Sequence, residues 1–326
     1  MRQETRAAGV DKLAVAAATV TVVLWASAFV SIRSAGAEYG PGALALGRML
    51  SGTLVLGGLW LVRREGFPPR GAWPGIITAG ILWFGAYMVA LNWGEQLVDA
   101  GTAALVVNIG PILIALLGGW LLKEGLPPRL LAGMAVSFTG AAVVGLSMSG
   151  EGTSSVLGVL LCLFAAVAYA AGVVSQKPAL RHASSLQFTT FACAIGALAC
   201  LPFSGQLVSQ AAQAPAGATL NMIYLGVFPT AIAFTTWGYA LARTSAGKMG
   251  ATTYAAPALV VLMSWLLLGE VPGLITLGGG LLCLAGVAVS RSDRGLRRRD
   301  RPAPGGAGPA AEAESRSALV QAHTRD

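Results

Sequence analysis

Ten side chains stand out because they could do chemistry inside otherwise apolar runs. They are Trp25, Ser27, Arg48, Tyr87, Asn92, Asn108, Tyr169 and Tyr254, with Pro111 and Pro257. Aromatic ring faces attract cations, so Trp25, Tyr87 and Tyr169, with Trp83 and Trp237, suit an amphipathic or cationic solute. Ser27, Asn92 and Asn108 add hydrogen-bonding groups, Asn92 where a solute would enter or leave. Polar groups at such positions should face protein or water rather than lipid. Arg48 can snorkel to a headgroup layer, hold a solute carboxylate, or bind a backbone carbonyl. Pro111 and Pro257 each remove a helix hydrogen bond, and the freed carbonyl can bend the helix or face a cavity. Asn108 and Tyr254 lie three residues before those prolines. There they can bind solute or join neighbouring helices. Trp93 and Tyr239 fall near run ends, where interfacial belt residues occur.

This is chemistry of recognition rather than of bond-making. No His lies in an apolar run, and neither His-Glu-x-x-His nor paired Asp occurs. A membrane protease or transferase centre is therefore not expected. A P-loop needs Gly-x-x-x-x-Gly-Lys-Ser/Thr, and the nearest fragment, Gly247-Lys248-Met249, fails. Cys162, Cys193, Cys200 and Cys283 all sit in apolar runs without a Cys-x-x-Cys pair. No disulfide framework, metal site or cofactor is expected from them. Glu38, Glu95, Asp99, Glu151 and Glu270 stand at or beyond run ends. Without a mid-run carboxylate, tight proton coupling through a buried acid is not expected.

The elements that must position these residues follow from composition. Of 326 residues, 55% are hydrophobic and 11% are charged, against about 25% charged in a soluble domain. A hydrocarbon layer about 30 Å thick takes about 20 apolar residues per helix. Ten runs meet that need: 13–32, 42–62, 73–93, 100–122, 130–147, 155–175, 186–203, 219–240, 247–268 and 272–290. Backbone groups cannot be left unpaired in lipid, and these runs lack the alternation of barrel strands. The expected fold is thus an all-α integral membrane protein of ten transmembrane helices. The first run is too long for a signal-peptide core and is read as retained.

The net charge of +8 marks direction rather than a nucleic-acid partner. With the 1–12 tail placed in the cytoplasm, 20 of the 22 basic residues fall on that side. Both termini are then cytoplasmic. Residues 291–326, with Arg297-Arg298-Arg299, lack an apolar face and read as a disordered basic tail.

Residues 100–143 match 246–289 at an offset of 146, pairing Pro111 with Pro257, Glu124 with Glu270, Gly133 with Gly279 and Gly140 with Gly286. Five helices separate the matched elements, and five is odd. The second half, 148–290, must therefore enter the membrane upside down relative to the first, 13–147. Inverted repeats are the usual frame of secondary transporters, with substrate near the midplane between halves. Trp25 to Arg33 is echoed more weakly by Tyr169 to Lys177.

Over residues 13–290 this pattern resembles the EamA-type branch of the drug/metabolite transporter superfamily. The resemblance rests on the five-plus-five repeat, Trp25-x-Ser27-x-Phe29, Arg48 early in the second run, and the Pro and terminal Glu of the fourth and ninth. It implies a bacterial inner-membrane carrier, usually an exporter of amino acids or other small metabolites, with no ATP and no cofactor. A lipid or amphipathic-drug flippase of the same architecture is the alternative. A homodimer stays open as the protein partner. The seventh run has no basic residue to match Arg48, so any role of Arg48 belongs to one half alone.

Overall fold

The computed structural model describes residues 11–97, 106–148, 156–268 and 273–291. Among them every regular element is helical. Helix α1 covers Lys12–Gly36, and Asp11 caps it by accepting from the Leu13 and Ala14 amides. Helix α2, Pro41–Arg63, starts on a proline, whose missing N–H is harmless in a first turn. It ends at Arg64, in the left-handed region at φ 50°. Helix α3 is Arg70–Leu97, α4 is Gly110–Leu121, α5 is Pro128–Met148 and α6 is Val156–Ala179. Helix α7, Ser185–Ala199, opens with a capping box between Ser184 and Gln187. Then follow α8, Ser204–Ala211, α9, Ala216–Arg243, α10, Ala246–Thr252, α11, Ala255–Leu268, and α12, Leu274–Arg291.

Four of these, α2, α3, α6 and α9, are each long and apolar enough to cross a membrane. Shorter apolar stretches lie in α1, α4, α5 and α12. The seventh run behaves differently from a single straight helix. It bends by 53° between α7 and the segment Leu201–Ala211. Pro202 is the reason, since it cannot donate to the carbonyl four residues back and so ends the α-helix. The ninth run is likewise broken, with turns at 253–254 between α10 and α11. A matching turn at 108–109 precedes α4. Each break lies just before its proline, Pro257 or Pro111.

Packing follows the offset seen in the sequence. Helix α5 lies on α12, α4 on α10, and α2 on α7. Helices α3 and α4 both flank α6, as α9 and α11 both flank α1. Helix α2 rests on α9 as α7 rests on α3. Apart from α4 on α10, whose counterpart would include residues outside the described ones, each contact maps onto itself or onto another when the halves are exchanged.

The α5–α12 crossing shows this at atomic scale. A Cβ on Gly133 would stand 2.6 Å from the Gly286 oxygen, and one on Gly140 2.6 Å from that of Gly279. The two contacts are one contact with the halves swapped. Between them Ser137 Oγ donates to the Cys283 carbonyl at 3.1 Å, and Cys283 Sγ to the Ser137 carbonyl at 3.6 Å. Residues 137 and 283 are 146 apart. Hydrocarbon gives no hydrophobic drive between helices, so close backbone approach supplies the attraction.

Gly286→Ala should therefore force the crossing apart and cost about 1–3 kcal/mol. Gly278, on the same helix with open space around it, is the control. Gly278→Ala should be neutral or slightly stabilising. Thermal unfolding of the purified protein checks both, and equal melting temperatures would show that the crossing tolerates a side chain.

Candidate functional site

The candidate residues divide into three groups in space. The first is a ring cluster between the halves. Trp25 of α1 meets Trp237 at 4.9 Å, Phe234 at 5.3 Å and Trp83 at 6.2 Å between centroids. Trp83 in turn meets Tyr169 at 5.3 Å, and Tyr169 meets Tyr87 at 5.8 Å. Trp83 and Trp237 are sealed in the core, whereas Trp25 and Tyr87 keep partial exposure. The structure thus brings Trp25, Tyr87 and Tyr169 together, in one cluster of tilted and edge-on rings. The Tyr169 hydroxyl is buried without a hydrogen-bond acceptor or donor at full bonding geometry.

The second group surrounds two π-helical turns. One is Gly80–Ala86 in α3 and the other Gly226–Ile232 in α9, again 146 residues apart. Such turns occur often at functional sites. The second turn contains Pro229, which cannot donate to the Leu225 carbonyl. The Thr230 hydroxyl donates to it instead, at 2.9 Å. Arg48 Nε donates to that same hydroxyl oxygen at 2.7 Å, and Trp25 Nε1 to the Pro229 carbonyl at 3.1 Å. Two sequence candidates thus grip one distorted turn from α1 and α2. Ser27 donates to the Leu24 carbonyl at 2.8 Å and pairs with the Tyr224 hydroxyl at 2.7 Å, beside the same segment. Asn92 is buried, and its Nδ2 donates to the Pro41 carbonyl at 3.1 Å, fastening α3 to the start of α2.

Asn108 and Tyr254 meet directly. The fully buried Tyr254 donates its hydroxyl to the Asn108 carbonyl at 2.8 Å. The bond joins the break before α4 to its counterpart before α11. Pro111 is buried and Pro257 half-buried immediately beyond.

The third group was not singled out from sequence. Lys177, near the end of α6, donates to the Leu241 carbonyl at 2.5 Å and to that of Thr244. It also lies 3.9 Å from Glu124, whose other oxygen accepts from the Ala246 amide at 2.7 Å. One lysine and one glutamate thereby tie α4 and α6 to the corner between α9 and α10. Next to them Gln176 is wholly buried, accepting from Trp237 Nε1 at 3.2 Å, while its Nε2 has no partner among the described residues. The sequence signal was present as a glutamate and a lysine closing the fourth and sixth runs. Only the fold puts the two together.

These features define a multi-helix membrane transporter built from two repeats. The EamA-like transporter family matches residues 12–146 and again 156–292. The chain belongs to that family. It is 37% identical over 295 residues to a protein of Streptantibioticus cattleyicolor named "Probable terminal-alkyne amino-acid exporter", covering 90% of this chain and 98% of that one. It is 33% identical over 272 residues to the uncharacterised transporter YdfC of Bacillus subtilis, covering 83% and 89%. A "Probable amino-acid metabolite efflux pump" of Salmonella typhimurium is 24% identical, covering 87% and 96%. A solved crystal structure superposes with a TM-score of 0.70 at 24% identity, over 85% of this chain and 96% of the other. That likeness speaks for the fold alone.

The Lys177 cluster is open to test. Loss of a hydrogen bond to a charged group costs about 1.5–3 kcal/mol. In Lys177→Met, amide exchange across Thr244–Met249 should then rise by at least about tenfold, and in Lys177→Arg by less. Exchange unchanged in the Met variant would show that the cluster holds nothing.

Proposed function

We propose that this protein is a secondary transporter that exports amino acids or other small metabolites by alternating access. In this reading ten helices span a bacterial inner membrane as two inverted five-helix repeats, with both termini in the cytoplasm. The observation that carries it is the exchange of contacts under the 146-residue shift. Gly133–Gly286 with Gly140–Gly279, and Asn108–Tyr254 with itself, relate the halves by a pseudo-two-fold. Two near-equivalent halves can trade conformations, and that exchange opens a central site to each side in turn. The names of the Streptantibioticus and Salmonella relatives support amino acids and their metabolites as cargo.

In the same reading Trp25, Ser27, Tyr87 and Tyr169 lie along the solute path, with Arg48 at its edge. The broken helices at Asn108–Pro111 and Tyr254–Pro257 act as hinges, and Asn92 stiffens the outer mouth. The Lys177–Glu124 cluster closes the cytoplasmic end. A hollow of about 350 Å³ beside it, lined by Glu124, Arg243 and Lys248 among others, offers the first charged contacts to a solute arriving from that side.

Proteoliposomes charged with a panel of labelled amino acids test the activity. Solute-dependent counterflow is expected without ATP. Lipid scrambling with no flux of any water-soluble solute would favour the flippase instead. Tyr254→Phe removes one hydrogen bond, worth about 1 kcal/mol, so flux should fall about fivefold while the protein remains monodisperse. Full flux in Tyr254→Phe and in Asn108→Leu would remove both residues from the mechanism.

Topology has its own measurement. Single cysteines at positions 95 and 151 should label from outside intact cells, and one at 181 only after permeabilisation. The reverse pattern would overturn the proposed orientation.

A further inference from the structure

Arg48 stands out as a cation without an ionic partner. It is 6% exposed, inside a helix long enough to span the bilayer. Charges at such positions are rare and pair with other groups or face a solute pathway. Among the described residues no carboxylate lies within salt-bridge distance of it. Only Nε is hydrogen-bonded, to Thr230. The two terminal nitrogens make no hydrogen bond to described residues. The one carboxylate near enough to act on the guanidinium electrostatically is Glu95.

The repeat shows that the fold does not need this charge. A Cβ on Gly226 would abut the Arg48 carbonyl, and one on Gly80 the Ala192 carbonyl. Because Gly80 and Gly226 correspond, Ala192 is the counterpart of Arg48, and Phe84 that of Thr230. Ala192 and Phe84 are both fully buried, so the same helix crossing closes in the other half with apolar groups alone. A buried pair replaced by well-packed apolar groups commonly costs no stability. Retaining an arginine on one side only is therefore a matter of function.

We propose that the free edge of Arg48 holds the carboxylate of the transported solute, which makes amino acids, rather than amines or neutral amphiphiles, the preferred class. The guanidinium fork matches a carboxylate with two parallel N–H donors. Its Nε bond to Thr230 fixes the fork's plane, leaving the Nη edge to the ligand. Thr230 is a positioning residue, and it couples that edge to the π turn of α9. Tyr87 is in the neighbourhood of Arg48, and the tilted Tyr169 and Trp83 rings beyond it give the solute's side chain an apolar wall. The proposal rests on the carrier reading above and narrows its cargo.

The test uses the purified full-length protein in nanodiscs. Intrinsic tryptophan fluorescence is titrated with L-leucine and with L-leucinamide, which keeps the ammonium and side chain but lacks the carboxylate. Leucine should bind at least about tenfold more tightly than leucinamide, as loss of a charge-assisted bond predicts. Arg48→Gln should abolish that preference. Arg48→Lys, which keeps the charge but not the fork, should retain part of it. If Arg48→Gln does not fold, the wild-type comparison and Arg48→Lys still decide. Equal affinities in the wild type, a preference that survives Arg48→Gln, or no leucine binding would each overturn the proposal. Leucine counterflow is measured separately. Arg48-dependent binding without flux would sink the carrier reading alone. Flux indifferent to Arg48 would sink the carboxylate site alone.

Discussion

In hydrocarbon no water is available to a backbone carbonyl, so each one that a helix fails to satisfy must be answered by protein. That constraint organises the polar side chains of this molecule. Thr230 answers the Leu225 carbonyl that Pro229 cannot reach, and Trp25 answers Pro229 itself. Tyr254 answers Asn108, and Lys177 answers the end of α9 at Leu241 and Thr244. Side chains that look like a solute-binding set in sequence thus also complete broken helices. The proposed solute-binding role is compatible with that task, because a helix is broken where its backbone must move or be met by a ligand. Each such bond is modest, on the order of 1 kcal/mol, which suits contacts that have to be remade as a carrier cycles.

The pseudo-two-fold frame is apolar and close-packed, and the exceptions to it are polar. Gly133, Gly140 and Gly286 obey the exchange of halves, as do the two π turns. Arg48 with Thr230 corresponds to Ala192 with Phe84 in the other half of the chain, and Lys177 with Glu124 ties one end of the bundle. The frame is thus close to symmetric, and its polar groups mark where the two halves differ.

Much of this was legible in the sequence, for identifiable reasons. Apolar runs of about 20 residues leave few structural choices, and long helices lie over the second, third, sixth and eighth runs. The 146-residue offset reappears in hydrogen bonds between residues 108 and 254 and between 137 and 283. The bend at Pro202 was less visible, because Leu201 and Phe203 keep the run apolar through it. Short α8 escaped because its polar face resembles a loop. The π turns left no trace, since one extra residue per turn does not alter hydropathy. Among candidate residues, sequence could nominate Arg48 and Trp25 but not show that they hold one turn. Lys177 and Glu124 read as ordinary helix-end charges because their meeting depends on α4 and α6 lying side by side.

The paired π turns carry a consequence of angular phase. A uniform α-helix advances each residue by about 100°. One residue inserted into a turn therefore rotates everything beyond it by about that angle relative to an uninterrupted helix. In α9 the turn lies just before Phe234 and Trp237, and in α3 just before Tyr87 and Asn92. Removing a single residue from either turn would leave a continuous helix of nearly the same length and hydropathy. It would also swing those side chains about a quarter-turn, taking Trp237 from Gln176 or Asn92 from Pro41. A relative with one residue fewer in either segment would keep the fold while presenting a different set of groups to whatever passes between its halves.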